Sequence, residues 1–237
     1  MKKLLLPALL ALATCAPAQA HHLWIEQDGR TATVQFGEFG DNLRETSPGL
    51  LDKFVAPKAI LVGPRGEQPL AMTKTAKGFA LSRTAAAGEA IVVEETGYPY
   101  FENKQDGKTT RLMWTPAARY VTTFAVQEPK LTFDIVPTGR QGEFRVVYKG
   151  KPLAKTAVKA VIPNGWAKEA TSDEQGLVHF DLPWRGGYVV EAHHSDKTVG
   201  ERNGQRYDTA SYVTALSFDH VSGAPALPAG PAAAPGK

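Results

Sequence analysis

The sequence predicts an all-β protein of two tandem β-sandwich domains. Short runs of residues alternate between apolar and polar side chains or are rich in β-branched and aromatic types, as half-buried strands are. Turn residues, mainly glycine beside aspartate or proline, interrupt these runs about every ten positions. No long amphipathic helix is indicated, since the segment between Pro48 and Pro57 has room for a short one at most.

Residues 1–20 have the three parts of a secretory signal peptide. Lys2 and Lys3 precede an apolar run, and the segment closes with the small-x-small triplet AQA at residues 18–20. We therefore predict cleavage after Ala20 and export to the periplasm. His21 would then be the first residue of the mature chain.

The composition excludes several classes of function. The chain has 27 basic and 24 acidic residues, so removal of Lys2 and Lys3 leaves a net charge of about +1, which favours neither nucleic acid nor an anionic membrane as a partner. No second apolar run reaches the roughly 20 residues that a membrane-spanning helix needs. The one cysteine, Cys15, lies in the signal segment, and Thr14 before it departs from a lipid-attachment motif. The mature chain should therefore have no disulfide and no thiolate metal ligand.

Residues 21–128 are interpreted as the first sandwich. Its strands include HHLWIEQ, TATVQFGEF, AIVVEE and RYVTTFAV. In the second of these, Val34 and Phe36 share one face, while Thr33 and Gln35 share the other. This alternation is typical of a strand with one buried face.

The segment 97–116 does not alternate cleanly. Aromatic residues surround a polar Asp-Gly turn there, so we expect a long hairpin or loop that covers one end of the first sandwich. Its aromatic side chains either pack this connection onto the domain or form a partner-binding surface.

The second sandwich is predicted over residues 129–220. The boundary falls in VQEPK, residues 126–130, because Pro129 ends one strand before the next begins. The strands LTFDIVP, EFRVVYKG, TAVKAVIP, GLVHFDLP and GYVVEAHH follow. Residues 221–237 are almost entirely Ala, Pro and Gly and are expected to form a disordered tail.

Together these features resemble the DUF4198 family. The resemblance lies in the His-aromatic-acid strand of His22, Trp24 and Glu26, in GKPLAKTAVKAVIPNGWAKEATSDEQGLVHFDLPWRGGYVVEAHH, and in the closing SYVTALSF. The family is grouped with CbiK- or NikM-like periplasmic components of cobalt and nickel uptake systems. The second half also resembles transthyretin-like sandwiches, so the two domains are expected to be of the immunoglobulin-like or transthyretin-like type.

The resemblance implies a periplasmic, non-enzymatic protein that takes part in divalent-metal acquisition beside a membrane transporter. Integral-membrane proteins of these uptake systems carry a histidine near their processed terminus. No transmembrane segment is predicted for the mature form of this chain, so it could deliver or sense the metal but could not conduct it.

Histidine supplies the candidate metal ligands. If His21 is terminal, its α-amine and imidazole can close a chelate ring on one ion, because the amine loses its proton at modest cost near neutral pH. Such nitrogen donors suit nickel and copper, with cobalt and zinc as alternatives. A common terminal copper and nickel motif has histidine at mature position three, which is Leu23 here. Folding must therefore bring in further ligands, such as His22 or a distant histidine.

A second pair, His193 and His194, is the expected source of the distant ligand. In the strand YVVEAHH, Glu191 and His193 share one face, and His194 lies on the other. One member of each pair is thus expected to reach a given ion. The candidate ligands are His21, His22, His193 and His194. The alternative is that His194 caps a core face and His193 is solvated.

The two remaining histidines are expected to lie at the surface. His179 alternates with Asp181 on the polar face of its strand, and His220 follows the last strand just before the tail.

No catalytic arrangement is found in the sequence. It has no phosphate-binding loop, HExxH pair, CxxC pair or nucleophile elbow, and the mature chain has only Met72 and Met113 for a soft copper(I) site. We predict a periplasmic, non-enzymatic protein that binds a divalent ion, nickel or cobalt, and supports its uptake. Two alternatives stay open: a metal-free envelope binding or scaffold module, and a copper oxidase in which His21 forms a histidine brace.

Overall fold

The computed structural model describes residues 21–105 and 107–236, except for the side chains of Asn103 and Gln105. This part of the chain consists of strands, connections and one short 3-10 helix, Leu50–Lys53, so the predicted all-β class is confirmed. Within the same residues no helix is long and apolar enough to cross a membrane. The predicted signal peptide and Cys15 lie outside the described residues.

The strands follow one another with short connections. In chain order they are β1 (His22–Gln27), β2 (Ala32–Glu38), β3 (Leu43–Arg44), β4 (Lys58–Gly63), β5 (Gly66–Leu70), β6 (Met72–Thr75), β7 (Gly78–Leu81), β8 (Ala90–Glu94), β9 (Phe101–Gln105), β10 (Lys108–Val121), β11 (Phe133–Pro137), β12 (Glu143–Tyr148), β13 (Lys151–Pro152), β14 (Ala157–Val161), β15 (Ala167–Thr171), β16 (Leu177–His179), β17 (Gly186–Asp196), β18 (Gly200–Arg202), β19 (Gln205–Tyr207) and β20 (Thr209–His220).

These strands form three sheets and a separate hairpin of β18 and β19. The amino-terminal sheet has the order β1-β2-β7-β6, with β3 paired to β2. The central sheet has the order β15-β14-β17-β20-β10-β8-β4-β5, with β9 paired to β10. The carboxy-terminal sheet has the order β11-β12-β13, with β16 paired to β12.

The central sheet joins the two halves of the sequence. Its strands β10 and β20 pair in parallel, from Leu112 opposite Thr209 to Tyr120 opposite Ser217. The predicted boundary near Pro129 falls in a connection, but the halves share this sheet, whereas the sequence indicated two sandwiches in tandem. Alternation could not reveal this, because it specifies the face that a strand buries and not the strand with which it pairs.

Two further layers cover opposite faces of the central sheet. Along β10, Trp114 and Ala118 face the amino-terminal core, whereas Met113 and Val121 face the carboxy-terminal core. The apolar faces of neighbouring sheets thus pack together, consistent with the predicted β-sandwich class. The amino-terminal core includes Leu23, Ile25, Val34, Phe36, Leu61, Ile91 and Val93. The carboxy-terminal core includes Phe133, Ile135, Phe144, Val146, Val190, Leu216 and Phe218.

Strand β1 contacts the central sheet through its edge. Ser217 Oγ accepts the backbone N–H of Ile25 at 3.2 Å and donates to the Ile25 carbonyl at 2.8 Å. Because side chains alternate along β1, Leu23 enters the amino-terminal core, while Trp24 packs on the other side against β14 and β17. His22 lies on the same side of β1 as Trp24 and therefore faces β17.

Within the segment 97–116, β9 pairs antiparallel with the start of β10, from Phe101 opposite Leu112 to Gln105 opposite Lys108. Tyr98 packs edge-on against Trp114, with 4.6 Å between ring centroids, and Phe101 stacks on Tyr98 at 5.8 Å. Tyr98 also packs edge-on against Phe54 at 5.2 Å, and Trp114 lies 6.0 Å from Phe36. Aromatic side chains thus pack this connection onto the first half of the chain, which was one of the two expectations.

Backbone groups of the tail form hydrogen bonds with the rest of the chain. Within residues 221–236, Ala224 N–H donates to the Pro183 carbonyl at 2.9 Å and Gly230 N–H donates to the Pro163 carbonyl at 3.1 Å. Gly236 N–H donates to both carboxylate oxygens of Glu45, at 3.1 and 2.9 Å. Proline lowers the entropy cost of ordering such a segment. The contacts come from backbone groups, which composition does not reveal.

Hydrogen exchange can test this docking of the tail. We expect the amides of Ala224, Gly230 and Gly236 to exchange at least about tenfold more slowly than those of residues 232–234, because each donates to a protein acceptor. Exchange measured residue by residue by NMR supplies the comparison. Equal exchange throughout the tail would show that it is undocked.

Candidate functional site: an acidic cavity with two histidines

A cavity of about 420 Å³ lies between the amino-terminal sheet and the face of β14, β15 and β17. Two of the four predicted ligands, His22 and His193, line it. The charged or ionisable residues of its lining are His22, Glu38, Asp41, Lys159, Glu169, Glu191 and His193.

The floor of the cavity is a row of charged side chains on the central sheet. Lys159 of β14 is paired with Glu169 of β15 and with Glu191 of β17. His193 follows two residues after Glu191 and therefore lies on the same face of β17. Further along that face, apolar side chains pack under Trp24. The row thus begins where the apolar packing between the sheets ends.

His22 is a buried, uncharged imidazole at the wall of the cavity. Its Nδ1 lies 3.6 Å from Glu191 Oε2. Burial lowers the pKa of His22 to about 3, and the charges of Lys159, His193 and His21 act in the same direction. At neutral pH the ring therefore carries no charge and keeps a nitrogen lone pair.

Glu191 is the carboxylate closest to His22. Besides the histidine contact, its Oε1 lies 3.7 Å from Lys159 Nζ. Burial raises the pKa of Glu191 to about 7; the Lys159 charge opposes this shift, and Glu38 adds to it. The carboxylate is thus held in the cavity without enough positive charge around it to keep it fully ionised at neutral pH.

Glu38 contributes a buried oxygen without a hydrogen bond. Among the described residues, Glu38 Oε1 has no donor, although His21 Nδ1 lies 3.4 Å away. Burial raises the pKa of Glu38, while the nearby His21 charge lowers it and Asp41 raises it again. Since a buried carboxylate oxygen without a hydrogen bond is costly, this oxygen is suited to receive a cation or a donor from a ligand.

His21 lies beside Glu38, outside the lining of the cavity, and its ring is held by the carboxylate of Glu45. Its Nε2 donates to Glu45 Oε1 at 2.6 Å, and its ring packs on Phe36 with 5.1 Å between centroids. Glu45 is fully buried and also accepts Gly236 N–H from the tail. In a neutral His21 ring this arrangement leaves the lone pair on Nδ1, the nitrogen nearer to Glu38.

The second histidine pair divides between the two faces of β17. His193 lines the cavity, and its Nε2 shares a hydrogen bond of 2.9 Å with Ser211 Oγ. His193 is exposed, as the alternative interpretation of this pair expected, and partial desolvation of its ring lowers its pKa. His194 points to the other face and packs on Tyr148, with 4.4 Å between centroids, and on Phe133. The structure thus places His22 and His193 in the lining of one cavity and leaves His21 and His194 outside that lining.

The other two histidines differ in position. His179 is exposed, with Nε2 3.8 Å from Asp181 Oδ1, as expected. The expectation for His220 was wrong: it is 5 % exposed, because β20 continues to this residue and pairs it with Gly186.

Sequence reasoning did not select Glu38, Glu191 or Lys159. One signal was present: Glu38 follows Val34 and Phe36 on the core-facing side of β2, and an acidic residue at such a position is unusual. The grouping of these residues depends on contacts between sheets, which local patterns do not contain.

The donors present are those that hold transition-metal ions, namely imidazole nitrogen and carboxylate oxygen. Over residues 21–105 and 107–236, no three His, Asp or Glu side chains already form a metal-binding group. Metal binding in the cavity therefore needs side-chain rotation.

A family model described as "Domain of unknown function (DUF4198)" matches residues 18–196. The matched residues include β1, the cavity floor and both members of the second histidine pair. A comparison with curated proteins returned no match.

Proposed function

We propose that this chain, which belongs to the DUF4198 family, binds a divalent transition-metal ion of the nickel or cobalt type in the acidic cavity. It would do so as an exported, non-enzymatic protein that supports metal uptake beside a membrane transporter. The observation that carries the proposal is the uncharged His22 beside Glu191 in a cavity that also contains a Glu38 oxygen that accepts no hydrogen bond.

The distances support this donor set. In a tetrahedral site, two ligands that each lie about 2.0–2.2 Å from the ion are roughly 3.3–3.6 Å apart. The 3.6 Å between His22 Nδ1 and Glu191 Oε2 is at the upper end of that range, so a small rotation would let both contact one ion. His193 and Glu38 line the same cavity and are the further donors.

The arrangement of His21 supports a contribution from the mature terminus. A metal-binding histidine commonly donates its other ring N–H to a carboxylate, which fixes the orientation of the ring. Glu45 holds Nε2 of His21 in this way. If the chain is cleaved after Ala20, the free α-amine of His21 and its Nδ1 could close the chelate ring predicted from the sequence.

Metal titration of the exported form tests the proposal. Mass spectrometry identifies the terminus, and calorimetry with nickel, cobalt, copper and zinc gives the affinities. We expect His22→Ala to weaken binding of the preferred ion by about 10–100-fold. His194→Ala is the matched control, since His194 packs outside the cavity and its loss should change the affinity less than about threefold.

Other outcomes favour the other functions. Equal effects of His22→Ala and His194→Ala would contradict the site, and no response to any of the four metals would favour a metal-free scaffold. If one extra residue before His21 leaves the metal affinity unchanged, the α-amine of His21 does not bind the metal. Peroxide production by the copper-loaded form would favour a histidine-brace oxidase.

A further inference from the structure

Lys159 is a cation inside the acidic cavity. It lies on β14 between Glu169 and Glu191, its cross-strand neighbours on the same face. Its ammonium is 3.7 Å from Glu191 Oε1, and its side chain is 43 % exposed. The group is therefore close to the proposed ligands but has an open path to solvent.

The charge of the cavity lining is unbalanced. Four carboxyl groups line it, from Glu38, Asp41, Glu169 and Glu191, and Lys159 is the one lysine or arginine among its described lining residues. The lysine charge lowers the pKa values of Glu191, Glu38 and His22. Lys159 thus acts electrostatically on three of the four cavity donors.

We infer that Lys159 is the resident cation of the cavity, that a divalent ion displaces it from Glu191, and that its presence excludes monovalent ions. This inference rests on the proposed function. An ammonium and a metal ion that contact the same carboxylate repel each other at short range. A divalent ion replaces one positive charge with two, whereas Na⁺ or K⁺ would replace the ammonium with an equal charge. The flexible lysine stem and its exposure let the ammonium retract.

Substitution of Lys159 tests this role by calorimetry with nickel. We expect Lys159→Met to tighten nickel binding by at least about tenfold, because the competing charge is removed. Lys168→Met is the matched control: it makes the same chemical change on β15, at an exposed residue paired with Ala160, and should alter the affinity less than about twofold. Lys159→Gln is measured as a second variant of the same residue, in case Lys159→Met does not fold.

Monovalent ions provide a second readout that does not require nickel binding. In metal-free protein, we expect KCl to raise the melting temperature of Lys159→Met above its value in choline chloride at equal ionic strength. The native protein and Lys168→Met should show no such difference between the two salts. This measurement separates entry of K⁺ into the cavity from general screening.

The outcomes distinguish failure of the inference from failure of the proposed function. Unchanged or weaker nickel binding by the folded Lys159 variants would overturn the role of Lys159, even if the native protein binds nickel. If the native protein binds no divalent ion but the Lys159 variants respond to K⁺, the resident-cation role holds and the proposed function fails. If KCl does not raise the melting temperature of the Lys159 variants, the inference that Lys159 excludes monovalent ions is wrong.

Discussion

Asp134→Asn is expected to lower the free energy of unfolding by about 3–5 kcal/mol. Asp134 and Arg119 form a two-point ion pair with no solvent exposure on either side chain, at 3.0 Å from Nε to Oδ1 and 2.6 Å from Nη2 to Oδ2. Asparagine preserves the size of the side chain but leaves the guanidinium charge buried without a counter-ion. Urea unfolding followed by fluorescence measures the change.

The position of this pair makes the effect large. Arg119 also donates to Gln127 Oε1 at 2.6 Å, and Asp134 accepts Lys130 N–H at 2.8 Å. The pair therefore holds the connection between β10 and β11, where the chain passes from one half to the other. Loss of one partner disturbs the core and this connection together.

Two further variants provide controls. Arg140→Gln removes an ion pair with Glu143 in which the arginine is 76 % exposed, and it should cost less than about 1 kcal/mol. Arg119→Met combined with Asp134→Asn should recover part of the loss, since no unpaired charge remains. If Asp134→Asn cost no more than Arg140→Gln, the buried pair would not stabilise the fold as argued.

The second large effect concerns the proposed metal site. Glu191→Gln is expected to weaken nickel or cobalt binding by at least about 100-fold, since it removes a charged donor, and loss of an outer-shell partner alone typically costs about 10–100-fold. Glutamine keeps nearly the same volume, so the packing around the side chain should change little. Glu169→Gln is the comparison in the same row, because Glu169 lies on the far side of Lys159 from Glu191. It should weaken binding less than about tenfold.

The affinity should also depend on pH in a defined direction. A metal ion needs the ionised carboxylate, and burial raises the pKa of Glu191 to about 7. Affinity should therefore rise as the pH increases through about 7 and become level roughly one pH unit above it. His22 adds no step in this range, because its pKa of about 3 keeps it uncharged. The groups that face Glu191 are Lys159, His22, Glu38 and Asp41. All four are the same in the native protein and in Glu191→Gln, so a difference between these two proteins reports on Glu191 itself.

Calorimetry from pH 5.5 to 8.5 checks this dependence. Glu191→Gln should remove the rise near neutral pH as well as most of the affinity. A rise that persists in the variant would assign it to another group, such as the α-amine of a processed His21. Unchanged affinity in the variant would remove Glu191 from the site.

Much of the local structure could be predicted from the sequence. Alternation placed Val34 with Phe36, and Glu191 with His193, on single strand faces, and the structure has these pairs on those faces. The same rule separated His193 from His194, and they do face opposite sides of β17. Such predictions succeed because the period of two is a property of the strand itself.

Neither the burial of His220 nor the contacts of the tail could be predicted from the sequence. His220 is buried because β20 continues through it and pairs with β17, an extension that proximity to the tail concealed. The tail docks through backbone N–H groups, which every residue except proline has, so its Ala, Pro and Gly composition carried no sign of the contacts with Pro163 and Glu45.

The sequence by itself determined the all-β class, the alternation of side chains along its strands and the histidines proposed as ligands. Only the tertiary structure decided which of them meet. The contact between Ile25 and Ser217 spans 192 residues and brings β1 onto the central sheet. This contact and the pairing of β17 with β14 place His22 beside Glu191 and Lys159. Strand periodicity is local, whereas the choice of partner strand depends on packing among distant surfaces, and for that reason the cavity could not be predicted from the pattern.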